Sequence, residues 1–287
     1  MRVLERWAPA IFVLIWSSGF VVAKYAFQSS DVIYFLAIRL FIAALILAIV
    51  TKALGQSLRL SKRELFVTAI IGICLHGIYL GGVWQAIAEG SPAGIASVVT
   101  SMQPILVSIL AIFLLKERLT RYQLAGLVLG FAGVLLVLAP SFAKSGEMNL
   151  LALSLLIAAL LGSTTATLSQ KKIGQTIPLL AGTMYQFLIA GAVLMAISVA
   201  SEKTSIEWNI TSTLAMLWAV VVTSIIAILL LLWMLTRGSA ARVSSLLYLV
   251  PPAAAIQAWV LFGEKLNPQA IIGIIATAVG VALVQKR

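Results

Sequence analysis

Long apolar runs dominate this sequence and leave little choice of fold. Stretches of about 20 residues, almost free of charge, lie at approximately 8–27, 32–51, 65–85, 92–115, 121–140, 149–169, 178–200, 213–235, 240–262 and 268–285. A bilayer core about 30 Å thick needs helices of that length to cross it. In hydrocarbon a backbone must satisfy its own N–H and C=O groups, and a helix does so within one segment. A transmembrane barrel would show short alternating segments instead. Charged residues make up 10% of the chain and hydrophobic ones 62%, whereas a soluble domain carries about 25% charge. The sequence therefore predicts an all-α integral membrane protein with ten spans. The linkers are too short to be domains, so function must reside inside the membrane. The first run is too long for a signal-peptide core and lacks a small-residue cleavage site, which makes it a retained first helix.

A net charge of +11 does not imply nucleic acid here, because the basic residues are sorted by loop and not gathered on one soluble face. Fifteen of the 20 fall on the side that carries both termini, among them Arg2, Arg63, Arg118, Lys172 and Arg237. The opposite side has Lys24, Lys144, Lys203 and Lys265, and Arg39 lies inside helix 2. The positive-inside rule then places both termini in the cytoplasm.

The second half repeats the first. Subtracting 147 carries Pro251 onto Pro104, Glu264 onto Glu117, Leu266 onto Leu119, Gly273 onto Gly126 and Gly280 onto Gly133 without a gap. The same offset sets Lys171 on Lys24 and Gln186 on Arg39. Each copy, 1–140 and 148–287, holds five spans. An odd number turns the second copy upside down relative to the first, giving an inverted repeat. Secondary transporters recurrently use this plan, with the substrate site near the midplane between the copies.

The repeated spacing, together with Trp16-Ser17-Ser18 and Arg39, resembles the drug/metabolite transporter superfamily and its ten-helix EamA-type branch. The carrying residues are Pro104, Lys116-Glu117-Arg118-Leu119, Gln123, Gly126 and Gly133, then Pro251, Gly263-Glu264-Lys265-Leu266, Gly273 and Gly280. Helix 6 departs from the pattern, with Gly162-Ser163-Thr164 where a second tryptophan is often seen. The resemblance implies a central cavity walled by helices 1, 3, 4, 6, 8 and 9. It also implies peripheral helices 5 and 10 that support a homodimer, and export of small metabolites or amphipathic compounds.

Midplane polar and aromatic residues supply the candidate cavity: Trp16, Ser17, His76, Tyr79, Thr100, Gln103, Thr164, Ser224 and Tyr248, with Gln85 and Trp233 nearby. Apolar walls with a few neutral hydrogen-bonding groups suit a small neutral or zwitterionic solute. His76, the sole histidine, shares a helix face with Tyr79 and Val83. Arg39 is expected at a gate or in a structural role, snorkelling outward or paired with Asp31 or Glu89. Glu117 and Glu264 sit where one helix ends and the next begins, and are expected to accept amide hydrogen bonds at the start of that next helix. Pro104 and Pro251 are repeat partners within helices 4 and 9, serving as a hinge or as a static kink. Gly126, Gly130, Gly133, Gly273 and Gly280 give helices 5 and 10 faces for close packing or dimerisation. Cys74 reads as a packed apolar side chain.

All nine acidic residues fall at helix ends or in loops, which argues against proton coupling through a buried carboxylate. One histidine and no core carboxylate also argue against an intramembrane enzyme. No cofactor or metal motif is present. The expected activity is alternating-access export across the cytoplasmic (inner) membrane. A flippase for an amphipathic lipid-linked group and a channel-like or structural bundle are the alternatives.

Overall fold

The computed structural model describes residues 2–26, 30–91, 93–142, 150–262 and 268–286. Helices follow the apolar runs closely: α1 (Arg2–Ala26), α2 (Val32–Ala53), α3 (Lys62–Ala88), α4 (Ala93–Ser101 and Gln103–Leu114), α5 (Arg121–Phe142), α6 (Leu150–Lys172) and α7 (Leu179–Ala200). They continue with α8 (Ile210–Arg237), α9 (Ala240–Ser245, Leu246–Leu249 and Val250–Phe262) and α10 (Pro268–Gln285). Among the described residues seven helices are long and apolar enough to cross a membrane, and two shorter apolar stretches are Trp7–Gly19 and Val98–Leu114. Among the described residues the only extended pairing is an isolated bridge between Ser30 and Ile206. Glu264 and Pro92 lie outside the described residues.

Local chemistry sets the helix ends. Ser61 and Glu64 form a reciprocal capping box that starts α3, and Asn209 with Ser212 does the same for α8. Thr120 and Gln123 close a similar pair at α5: the Thr120 N–H donates to Gln123 Oε1 at 2.9 Å and the Gln123 N–H to Thr120 Oγ1 at 3.2 Å. α3 stops at Gly90, whose φ of +92° is a conformation that side chains disfavour.

Two interruptions shape the interior. In both α3 and α8 the hydrogen bonding widens into a π-helical segment, at Ile73–Gly81 and Ala219–Ile226. Their starts are 146 residues apart (219 − 73), within one residue of the sequence offset. Such segments are rare and concentrate at functional sites. In α4 and α9 the continuous helix breaks just before the prolines. Pro104 is the second residue of Gln103–Leu114, after a turn at Met102, and Pro251 is the second residue of Val250–Phe262, after a 3-10 stretch. A proline lacks an N–H and its ring crowds the carbonyl four residues back, so each helix restarts there.

The most extensive helix pairings are α5 with α10, then α3 with α6 and α2 with α7. In the first, the glycines face one another. A Cβ on Gly273 would lie 2.7 Å from Gly133 O, and one on Gly280 would lie 2.7 Å from Gly126 O. Backbone thus meets backbone along an intrachain seam, the close approach that small residues permit in lipid.

Candidate functional site

The π segments of α3 and α8 face a cavity of about 650 Å³, its open mouth included. Trp16 and Gly19 of α1, Arg39 of α2, His76, Tyr79 and Trp84 of α3, and Thr223 and Ser224 of α8 line it, with Leu75, Leu80, Val83 and Ile228 as the apolar wall. Two smaller recesses continue from it. One is lined by Thr100, Ser101, Gln103, Leu247, Val250 and Pro251, the other by Gln103, Ser163, Thr167, Leu231, Val243, Ser244 and Leu247 with Leu75. Trp16 and Tyr79 line all three spaces and stand at their junction.

Arg39 departs most from expectation. It does not snorkel, and its hydrogen bonds do not go to Asp31 or Glu89. It is buried, its Nε–H donates to Ser224 Oγ at 2.7 Å, and Nη2 donates to Thr223 Oγ1 at 2.8 Å. Its Cζ lies 5.8 Å from the centre of the Trp84 ring, a cation–π distance. An arginine deep in a transmembrane helix costs about 2.5–3.5 kcal/mol to insert. Hydrogen bonds to charged groups contribute about 1.5–3 kcal/mol each, so the two hydroxyls offset that cost without a counter-charge. Asp31 is engaged elsewhere: its Oδ2 accepts from the Ser205 N–H at 2.9 Å, joining the α1–α2 and α7–α8 connections.

His76 is buried with its ring edge-on to Phe187, 4.8 Å between centres, and its Nε2 has no hydrogen-bond partner. Gln103 Nε2 donates to Thr167 Oγ1 at 3.0 Å and to Ser163 O at 3.3 Å, fastening the restart of α4 to α6. Among the described residues no acidic side chain lines any of the three spaces.

Of the side chains expected at the cavity, the structure gathers Trp16, His76, Tyr79, Thr100, Gln103 and Ser224 around it and puts the rest elsewhere. Ser17 is fully buried and accepts from Gln257 Nε2 of α9 at 3.0 Å. Thr164 turns back onto its own helix, donating to Leu160 O at 2.7 Å. Tyr248 is fully buried with its ring against Gly130 of α5, where an added Cβ would meet Cδ2 at 2.7 Å. Gln85 faces the groove between α2, α3, α6 and α7, bonded to Glu89. Trp233 lies under the Arg237 guanidinium, 4.5 Å from it. Sequence reasoning missed Trp84 and Thr223 as lining residues, the first because tryptophan near a span end reads as an interfacial anchor.

Glu117 caps a helix, but not the expected one. Its Oε1 accepts from the Ala240 N–H at 2.9 Å, so it holds the start of α9 and leaves α5 to Thr120. Lys116, in the left-handed region with φ 56°, turns the chain there. At the same end Lys171 Nζ donates to Leu235 O and Gly238 O, at 3.1 and 2.6 Å, closing the last carbonyls of α8. Glu117 and Lys171 thus clasp the α8–α9 connection from α4 and α6.

Two lateral grooves open between helices. The first, about 1140 Å³ with its mouth, has apolar walls from α2, α3, α6 and α7 and ends at Asp31, Glu89 and Lys203. The second, about 980 Å³, lies between α1, α8 and α9 and is lined by Leu14, Trp218, Ile256 and Val260 among others.

Comparison with known proteins gives two matches to one family model, the EamA-like transporter family, over residues 7–139 and 150–285. The chain is 24% identical over 282 residues to the uncharacterized transporter YvbV of Bacillus subtilis, covering 97% of this chain and 90% of that protein. It is 30% identical over 215 residues to a probable amino-acid metabolite efflux pump of Salmonella typhimurium, covering 68% of each. A solved crystal structure superposes with a TM-score of 0.83 at 18% identity, covering 97% of this chain and 95% of that one, which speaks to the fold alone.

Proposed function

The chain belongs to the EamA-like transporter family, a multi-pass membrane transporter and not an enzyme, and we propose that it exports a small neutral or zwitterionic metabolite by alternating access. In this reading ten helices cross the cytoplasmic membrane as two inverted five-helix halves with both termini inside. The two family matches, the loop charges and the paired π segments support that arrangement. The two halves exchange inward-open and outward-open shapes around one site, and ligand shifts the populations between them. The helix restarts at Pro104 and Pro251 are the hinges, and the clasp of Glu117 and Lys171 on the α8–α9 connection is released in one of the two shapes. A homodimer would form through the outer faces of α5 and α10, since their glycines are occupied within the chain.

The observation that carries the proposal is the cavity itself, walled by π-helical segments from both halves, with apolar and aromatic sides and a few polar groups. Resemblance to a probable amino-acid metabolite efflux pump favours an amino-acid-like solute over a sugar or nucleoside. The test is counterflow in proteoliposomes. A carrier loaded with unlabelled solute accumulates label transiently above equilibrium, whereas a channel only equilibrates it. Label that never overshoots with any amino acid, amine, nucleoside or sugar refutes the proposal.

The two lateral grooves favour a second reading, passage of an amphipathic lipid-linked group whose apolar part stays in the bilayer. Scrambling of a fluorescent lipid-linked substrate in the same vesicles, without counterflow of soluble solutes, would establish it instead.

A further inference from the structure

We propose that Arg39 anchors a carboxylate of the transported solute, so that the substrates are small monocarboxylates with an apolar body, amino acids being the zwitterionic case. The proposal rests on the carrier reading for its biological meaning, but the site can be tested by binding alone.

The guanidinium has five N–H groups in a fixed fork. The Nε–H and one Nη2–H point at Ser224 and Thr223 of α8. These hydroxyls fill one edge of the fork. The other edge, Nη1 and the second Nη2–H, has no protein acceptor among the described residues, and the residue lines the cavity. That edge presents two parallel donors, the geometry a carboxylate accepts in bidentate fashion.

Electrostatics narrows the class. Among the described residues no acidic side chain lines the cavity or its two recesses, so Arg39 gives them a positive charge that none of these side chains balances, in a medium of low dielectric. One carboxylate neutralises it. A free amine adds to it, and a polyanion overshoots it.

A second observation stands apart from the arginine. His76 is 2% exposed and lines the same cavity, and although the Gln186 side chain lies beside its ring, neither His76 Nε2 nor Gln186 Oε1 has a hydrogen-bond partner. A buried imidazole nitrogen left unmet is costly, and a ligand head at Arg39 supplies the missing contact. Leu75, Leu80, Val83 and Ile228, with the rings of Trp16 and Trp84, then receive the apolar body. The sequence partner of Arg39 in the second half is Gln186, so the repeat supplies this cation only once.

The test compares probes that share a body and differ at the head: L-phenylalanine, 3-phenylpropionate, phenylalaninamide and phenylethylamine, with the corresponding leucine series. Thermal stabilisation of the purified wild-type protein is read for each, and counterflow of radiolabelled L-phenylalanine and L-leucine is read in proteoliposomes. The expected result is stabilisation by free acids at concentrations at least about tenfold lower than by amides or amines. Arg39→Gln, checked by its elution and melting, is expected to lose the preference for acids. Arg39→Lys is expected to retain part of it, as a point charge without the fork.

Amides or amines that stabilise as well as acids overturn the proposal, as does the absence of stabilisation by any acid. A folded Arg39→Gln protein with unchanged preference overturns it too. The wild-type probe series needs no variant, so misfolding of Arg39→Gln leaves the test intact. Acid-selective binding without counterflow supports the anchor and refutes the carrier. Counterflow of the two amino acids together with stabilisation that does not favour acids refutes the anchor and keeps the carrier.

Discussion

Replacing Gly280 by alanine should loosen the seam between α5 and α10. The new Cβ would lie 2.7 Å from both Gly126 O and Gly130 Cα, and closer still to Gly130 N. All three are backbone atoms, so no side-chain rotation relieves the contact. Restoring an ordinary separation of 3.4 Å requires the helices to part by at least about 0.7 Å (3.4 − 2.7), because Gly130 N is nearer still. A gap of about 0.5–1 Å forfeits a quarter to a half of the dispersion attraction, and a seam of a few tens of atom pairs at about 0.1–0.2 kcal/mol each then loses about 1–3 kcal/mol. Overpacked cores lose about the same. In lipid this matters more than it would in water, because helix association there rests largely on van der Waals contact. Gly77→Ala is the control: its Cβ meets only Ile73 Cγ2, at 3.9 Å. It should cost no more than about 0.5 kcal/mol, since alanine also favours helix. Equilibrium unfolding in mixed detergent–SDS micelles, followed by tryptophan fluorescence, separates the two. If Gly280→Ala unfolds at the same SDS fraction as Gly77→Ala, the seam is not packed as described. Gly133→Ala should mimic Gly280→Ala, and the double variant should cost less than the sum because one separation relieves both.

Lys116→Gly should stabilise the protein by up to about 1 kcal/mol, because a non-glycine residue at φ 56° carries left-handed strain that Lys116→Ala would retain; the unfolding midpoints of the two variants decide. Glu117→Ala removes the acceptor at the start of α9 and should cost about 0.5–2 kcal/mol in the same assay, with no change in the folding of α5, which Thr120 caps. Thr223→Val leaves a donor of buried Arg39 without an acceptor and should cost about 1–3 kcal/mol, whereas Thr223→Ser should be nearly neutral.

The helices were legible because their signal is local. A run of apolar residues in lipid has few alternatives, and the observed ends at Ala53, Ala200 and Gln285 lie within two residues of the runs. The glycine spacing of α5 and α10 likewise announced close packing, although only coordinates show that the two faces meet each other. The π segments were not legible. An added residue per turn leaves no mark in a helix that is apolar on every side, so His76 and Tyr79 were placed by ordinary helical spacing. Arg39 was misread because Asp31 and Glu89, expected near the same face of the membrane, offered carboxylate partners, while its acceptors come from α8. Tyr248 was misread for the opposite reason: an aromatic residue with a hydroxyl at midspan looks like a cavity wall, but Gly130 leaves a hollow that its ring fills. Glu117 had the expected chemistry and an unexpected address, since sequence adjacency favoured α5 and the fold brought α9 closer.

The bond between Arg39 and Thr223 spans 184 residues, and that distance is also a delay. A ribosome adding about 5–20 residues per second needs roughly 9–37 s to make the intervening chain. Through that interval α2 is already synthesised, carrying a guanidinium whose acceptors do not yet exist. Until α8 arrives, the arginine must draw on headgroups, water or neighbouring helices. Its final burial is therefore a late step of assembly, and a chain truncated before α8 would present a helix with an unmet charge, a form that membrane quality control could recognise.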